Sequence, residues 1–178
     1  MFTECTTNQY SAAGYCWQAS SDEDGLFNQT AARDFCQGLG GHLAAPWQPG
    51  LLLHLAEAMD LGKGDGYMLN LEQQSGAGKT TQGWEWHLPN GSRQPLMAMV
   101  DGFCAWSGLE PNEAGGEERY VLGEEHGYEN VGIFKRDGVR DNGRRAKKKA
   151  LCQFRIDGSP EDFDMPGSVQ EECEVLVP

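Results

Sequence analysis

Between residues 103 and 118 the chain reads FCAWSGLEPNEAGGEE, and five oxygen-bearing side chains, Glu110, Asn112, Glu113, Glu117 and Glu118, fall within nine residues. The residues between them are small, Gly-rich and interrupted by Pro111, so a loop is expected rather than a helix. Carboxylate and amide oxygens are hard ligands. Calcium takes six to eight such oxygens at about 2.3–2.6 Å, whereas zinc or copper would call for His and Cys. Pro111 adds a geometric element, because an X-Pro bond goes cis at modest cost. A cis Glu110-Pro111 bond would turn the Glu110 and Asn112 side chains toward one point, and the stretch is read as a calcium-binding loop.

Other chemistries find less support. The six cysteines, Cys5, Cys16, Cys36, Cys104, Cys152 and Cys173, form no CxxC pair and have no His at zinc spacing. His54 has no His or Cys partner one turn away and reads as a packed or surface residue. Gly78-Lys79-Thr80 has the end of a phosphate loop, but Gln73 stands where the first Gly is required, and Trp84-Glu85-Trp86 follows as a strand rather than a helix. No nucleophile elbow and no HExxH occurs. The chain is therefore read as a binding protein and not an enzyme.

Its 178 residues suffice for one domain with a core. A net charge of -13 argues against nucleic acid as a partner, since phosphate contacts need a cationic face. Nine of the fourteen Lys and Arg lie at 135–155, while 158–178 carries only acidic charge, which reads as intramolecular balance. An even number of cysteines in a turn-rich chain points to disulfides and a secreted or extracellular location. The sequons at Asn28 and Asn90 agree with it. No apolar run approaches a membrane span. The opening MFTECTTN has neither a basic start nor an apolar run, so the expectation is a signal peptide already removed or a piece of a longer chain.

The elements that must hold the acidic loop can be placed by pattern. Cys5 and Cys16 bracket a hairpin, and 20–25 is a turn. Ala31, Ala32, Phe35, Cys36 and Leu39 fall at helical spacing behind Asn28 as N-cap, with Gly40 or Gly41 as the stop. Leu51, Leu52, Leu55, Ala56 and Met59 predict a second helix, ended by Gly62. Strands are expected at 67–71, 84–86, 119–122, 131–134 and 150–156, and turn signals fill 135–149. Residues 1–156 make the domain, and 157–178 read as an acidic tail or linker.

In this order the elements resemble the C-type lectin-like domain, in its long form, over about residues 5–156. The resemblance rests on Cys5 and Cys16, on Cys36 and Cys152, on Tyr67-Met68-Leu69-Asn70-Leu71 at the WIGL-type strand, on Trp84-Glu85-Trp86, and on Trp106-Ser107-Gly108-Leu109 leading into Glu110-Pro111-Asn112. It implies an α+β fold in which two helices flank small antiparallel sheets beside a long irregular calcium loop. It also implies Cys5-Cys16 and Cys36-Cys152 disulfides. Arg119 and Arg144 stand where the family has an inner pair of cysteines, which leaves Cys104 and Cys173 either to bridge each other or to link to another chain.

The Glu-Pro-Asn triplet is the family's mark of mannose-type preference, and fucose can present an equivalent pair of hydroxyls. Two vicinal hydroxyls replace water on the metal while Glu accepts and Asn donates hydrogen bonds to them. Galactose fits better when the triplet is Gln-Pro-Asp. The resemblance implies Ca2+ as cofactor and Glu110, Asn112 and Glu117 as ligands to metal and sugar. Asp141 lies eleven residues before Cys152, at the family's Trp-Asn-Asp triplet, but Val139 and Arg140 replace its Trp and Asn. Asn142 follows, so Asp141 and Asn142 serve as a reversed pair, or Arg140 directs its cation at the site and opposes the metal. Glu113 and Glu118 match an auxiliary calcium site. The implied partner is a carbohydrate or glycoprotein, with oligomerisation open. The alternative is a metal-free lectin-like module that binds protein, to which the basic run at 144–149 would contribute.

Overall fold

The computed structural model describes residues 4–48, 50–61, 66–74, 83–97, 99–100, 103–104, 118–122, 133–137, 148–157 and 169–170. In chain order the strands are β1 (Tyr10–Ala12), β2 (Tyr15–Ala19), β3 (His42–Leu43), β4 (Tyr67–Gln73), β5 (Trp84–His87), β6 (Arg93–Pro95), β7 (Met99–Val100), β8 (Phe103–Cys104), β9 (Glu118–Leu122), β10 (Ile133–Asp137), β11 (Lys149–Arg155) and β12 (Val169–Gln170). Among the described residues, two helices, α1 (Gln29–Gly38) and α2 (Leu51–Ala58), and a 3-10 turn at Asp22–Asp24 join these strands.

Helix α1 begins where the capping residue predicts. Asn28 has extended backbone, and its Oδ1 accepts the Ala31 N–H at 2.8 Å, satisfying one of the donors left over at a helix start. Ala32 and Cys36, one turn apart, are the buried face. At the other end the Gly41 N–H bonds back to the Cys36 carbonyl, and the chain passes so close to β11 that a Cβ on Gly41 would lie 2.6 Å from Phe154. Helix α2 starts behind Gly50 at φ +77° and buries Leu51, Leu52, Leu55 and Ala56.

Strand β11 is the spine. It pairs antiparallel with β2 and β3 and parallel with β4, through Lys149 opposite Tyr67 and Ala150 opposite Met68. From β4 a nine-stranded sheet continues to β5 and β6 on one path and to β9 and β10 on another. The sheet is thus mixed where small antiparallel sheets were expected. Alternation along β11 splits its side chains between two cores. Ala150, Cys152 and Phe154 pack with Ala32, Cys36 and Leu43 beneath α1, while Leu151 joins Trp17, Leu55, Leu69, Trp84 and Trp86 around α2.

The disulfides Cys5-Cys16 and Cys36-Cys152 are both formed. The second closes 116 residues of sequence separation and ties α1 to the spine. Three local expectations change. Phe103–Cys104 and Glu118, taken as ends of the acidic loop, lie in β8 and β9, and 135–137, taken as turn, continues β10. A separate sheet in the order β12-β7-β8 also includes Val169–Gln170 from the segment expected to be a tail.

Candidate functional site

Strands β9 and β10 deliver the two stretches that carry the predicted ligands. They pair antiparallel from Leu122 opposite Ile133 to Glu118 opposite Asp137. Glu118 directly follows 105–117, and Asp137 directly precedes 138–147. Opposed residues in such a ladder have Cα atoms about 4.5–5.5 Å apart, so both stretches begin from one end of one hairpin. Of the predicted site residues, Glu118 is the first residue of β9. Glu110, Asn112, Glu113, Glu117, Asp141 and Asn142 lie outside the described residues, as does Arg140.

The hairpin is anchored to β4, with Arg119 opposite Glu72 and Leu122 opposite Tyr67. Behind that anchor is a polar clamp that the sequence pattern did not reveal. Arg33 on α1 pairs with Glu72 at 2.6 Å and donates from Nε to Asn70 Oδ1 at 2.9 Å. Asn70 Nδ2 donates in turn to the His87 carbonyl on β5 at 2.9 Å. Helix α1, β4 and β5 are thereby locked beside the point where the acidic stretch rejoins the sheet. Asn70, accepting from Arg33 and donating to the His87 carbonyl, joins the two halves of the clamp. Burial pushes the His87 imidazole below its ordinary pKa, opposed by Glu72 and reinforced by Arg93 and Arg33.

Lys148, the residue that follows 138–147 in the sequence, exchanges backbone hydrogen bonds with Phe27 at 2.7 and 2.8 Å. Next to it Lys149 Nζ pairs with Asp22 at 2.6 Å. This hydrogen bond and the ammonium charge hold the exposed Asp22 carboxyl below its ordinary pKa. Burial raises the neighbouring Tyr67 hydroxyl, against the pull of Lys149.

Among the described residues no three His, Cys, Asp or Glu side chains gather into a group that could hold a metal. The described region instead supplies the supports from which the candidate ligand segments depart. At the far end of β11, six residues from Lys149, a pocket of about 510 Å3 is lined by Trp47, His42 and Arg155 among others. It is assembled from segments distant in sequence, so no local motif announced it.

No family profile matches the chain, and no curated protein does. Solved structures do. The C-type lectin domain of murine dendritic cell inhibitory receptor 2, solved in complex with an N-glycan, aligns with a TM-score of 0.59 at 14% identity over 85% of this chain and 99% of that one. The chain folds as a C-type lectin-like domain. The C-type lectin CEL-I from Cucumaria echinata aligns with a TM-score of 0.58 at 12% identity, over 84% of this chain and 96% of that one. Ovocleidin-17 of the Gallus gallus eggshell calcified layer gives 0.55 at 18% identity, over 85% and 99%. The C-type lectin-like fold accounts for the order of elements around β11. At these identities the likeness extends to the fold alone.

Proposed function

We propose that this C-type lectin-like domain is an extracellular, calcium-dependent carbohydrate-binding module for mannose-type or fucose-type sugars, with no catalytic role. The observation that carries the reading is the Glu118–Asp137 pairing in the β9–β10 hairpin. It sets Glu118, the residue that follows Glu117, opposite Asp137, four residues before Asp141, and so supports a reading in which both segments serve one site. Their donor set is all carboxylate and amide oxygen, which fits calcium and not a soft metal. When bound, the ion supplies a Lewis-acidic seat for two vicinal hydroxyls.

The side chains of Glu110 and Glu117 accept hydrogen bonds from those hydroxyls, and Asn112 and Asn142 donate amide N–H groups to them. Asp141 adds the charge that balances the metal. Glu113 and Glu118 form the auxiliary site that stiffens the loop.

A second reading, a metal-free module that binds protein, is favoured by Val139 and Arg140 at the family's Trp and Asn positions. Its basic strip is partly committed within the domain, because Lys149 already pairs with Asp22 at 2.6 Å.

Calcium titration calorimetry and glycan-array binding, each with and without chelator, separate the two. The sugar-binding reading expects mannose-type signals that vanish with chelator and with Glu110→Gln. Ligand binding that ignores chelator and is lost with a Lys147/Lys148 double substitution establishes the second reading instead.

A further inference from the structure

The 510 Å3 pocket lies within the ~300–1,000 Å3 range of small-molecule sites. Tyr15, His42 and Trp47 give it an aromatic interior, and Gln94, Arg155 and Asp157 bring amide, guanidinium and carboxylate groups to it. Aromatic faces with a few convergent hydrogen-bonding groups suit an amphipathic ring such as a pyranose. One wall is the turn between β5 and β6, and that turn contains the sequon Asn90-Gly91-Ser92.

The turn is shaped around Asn90. The Gly91 N–H bonds to the Leu88 carbonyl at 3.0 Å, and Gly91 sits at φ +83°, a conformation that favours glycine. Asn90 is exposed. Its Oδ1 accepts both the Ser92 N–H at 2.9 Å and the Ser92 hydroxyl at 2.6 Å. The carbonyl side of the amide is therefore engaged, while among the described residues Nδ2 has no hydrogen-bond partner. The other sequon differs. Asn28 is half-buried and caps α1 through Oδ1, and the next residue, Gln29, is 1% exposed and bonds to the Leu69 carbonyl.

We propose that Asn90 carries an N-linked glycan whose first N-acetylglucosamine residues are held in the pocket beside Trp47, and that Asn28 is left unmodified. The proposal rests on the secretory location and is independent of the calcium site. In the transfer, Asn90 Nδ2 bonds to the anomeric carbon of N-acetylglucosamine as the bond from that carbon to a polyprenyl pyrophosphate breaks. The pyrophosphate leaves with the bonding electrons, and one amide proton passes to a base of the transferase. The turn then presents the sugar at the pocket mouth. The pyranose face lies against Trp47, and its hydroxyl and N-acetyl groups reach Gln94, Arg155 and Asp157.

The test uses the full chain secreted from a eukaryotic host. Glycopeptide mass spectrometry is expected to find Asn90 occupied and Asn28 bare, and an unmodified Asn90 or a modified Asn28 overturns the assignment. Release of the glycan by a peptide N-glycosidase is then timed on native and denatured protein. Native release is expected to be roughly tenfold slower, equivalent to about 1.4 kcal/mol of pocket contacts, and Trp47→Ala is expected to remove most of the difference. Equal rates for native and denatured protein, or no change in Trp47→Ala, overturn the pocket assignment. If Trp47→Ala is not secreted, Gln94→Ala gives the same readout. Asn90→Gln is expected to keep any chelator-sensitive sugar binding, so the failure of this proposal and that of the calcium site remain separate results.

Discussion

The carboxamide of Gln153 on β11 accepts the backbone N–H of Ala45 at 2.6 Å, and Gln153 is 1% exposed. After β3 the Ala44 N–H still bonds to the Leu151 carbonyl of the spine at 2.8 Å, and the next amide, that of Ala45, turns to a side-chain acceptor. Gln153 provides it and fixes the approach of Trp47 to the pocket. Replacing Gln153 with Leu keeps the bulk but orphans a buried N–H. The expected loss is about 1–3 kcal/mol, read as a lower urea midpoint with an unchanged m-value.

Gly41 tests the closeness of α1 to the spine. A Cβ there would stand 2.6 Å from Phe154 Cε1 and 2.8 Å from the Gln153 carbonyl oxygen. The ring can yield, but the backbone oxygen belongs to β11. Gly41→Ala is expected to cost about 1–3 kcal/mol by overpacking, measured by thermal unfolding. Gly40→Ala, with open space around its Cβ but φ +88°, separates backbone strain from crowding.

The elements that were legible in the sequence are those with their own local signal. Helix α1 has periodic apolar residues and the Asn28 cap, and β11 has an apolar run. Strands β3, β7, β8 and β12 are two residues long, too short to show a period. Their pairing is set by chain segments far away. Val169–Gln170 sits among Pro, Gly and acid residues that read as linker, and only its partner β7 makes it a strand. The candidate ligand types could be read because Glu, Asn and Pro cluster within a few positions. Gln29, Gln153 and the Arg33–Glu72–Asn70 clamp could not, since a polar side chain on a strand or helix looks the same whether it is solvated or buried with a partner.

Acid should weaken the fold through two histidines. Burial lowers the pKa of His42, and burial chiefly lowers that of His87. Each group therefore binds its proton more readily in the unfolded chain, where the ordinary value is about 6.5. Stability is full above that value and is lost as pH falls from it toward the lowered folded values. Chemical denaturation between pH 7.5 and about 5, above most carboxylate titration, is expected to show this decline. His42→Gln and His87→Gln should each flatten it. A slope unchanged in both variants would assign the acid sensitivity to other groups.

The remaining two cysteines, Cys104 and Cys173, have a definite expectation. Gln170 is opposite Met99 in β7, and Met99 is opposite Cys104 in β8. Two strand spacings separate Gln170 from Cys104, roughly 10 Å. Three residues lead from Gln170 to Cys173, a reach of about 10 Å when extended. A disulfide needs Cα atoms about 4.4–6.8 Å apart, so a turn of the chain across the end of β7 would join the two. Peptide mapping without reductant is expected to recover a Cys104-Cys173 peptide. A dimer band on a non-reducing gel that disappears with Cys173→Ser would establish a link between chains instead.

Sugar choice gives the most direct test of the proposed site, because it requires only an exchange of donors. Glu110 accepts and Asn112 donates in the proposed arrangement, and the Glu110→Gln/Asn112→Asp pair reverses those roles while conserving side-chain length and oxygen count. Calcium affinity should fall by less than it does with alanine at either position, since one carboxylate remains. The preferred sugar should move from mannose toward galactose, whose axial 4-hydroxyl presents a different diol. Discrimination of this type reverses when a donor meets a donor, at a cost of about 1–3 kcal/mol for each unsatisfied group. Competition by the two monosaccharides, in calcium and in chelator, reads the outcome. If the double variant keeps its mannose preference, the sugar is recognised elsewhere on the domain. If it loses all sugar binding while calcium affinity is unchanged, these two side chains contact sugar without selecting it.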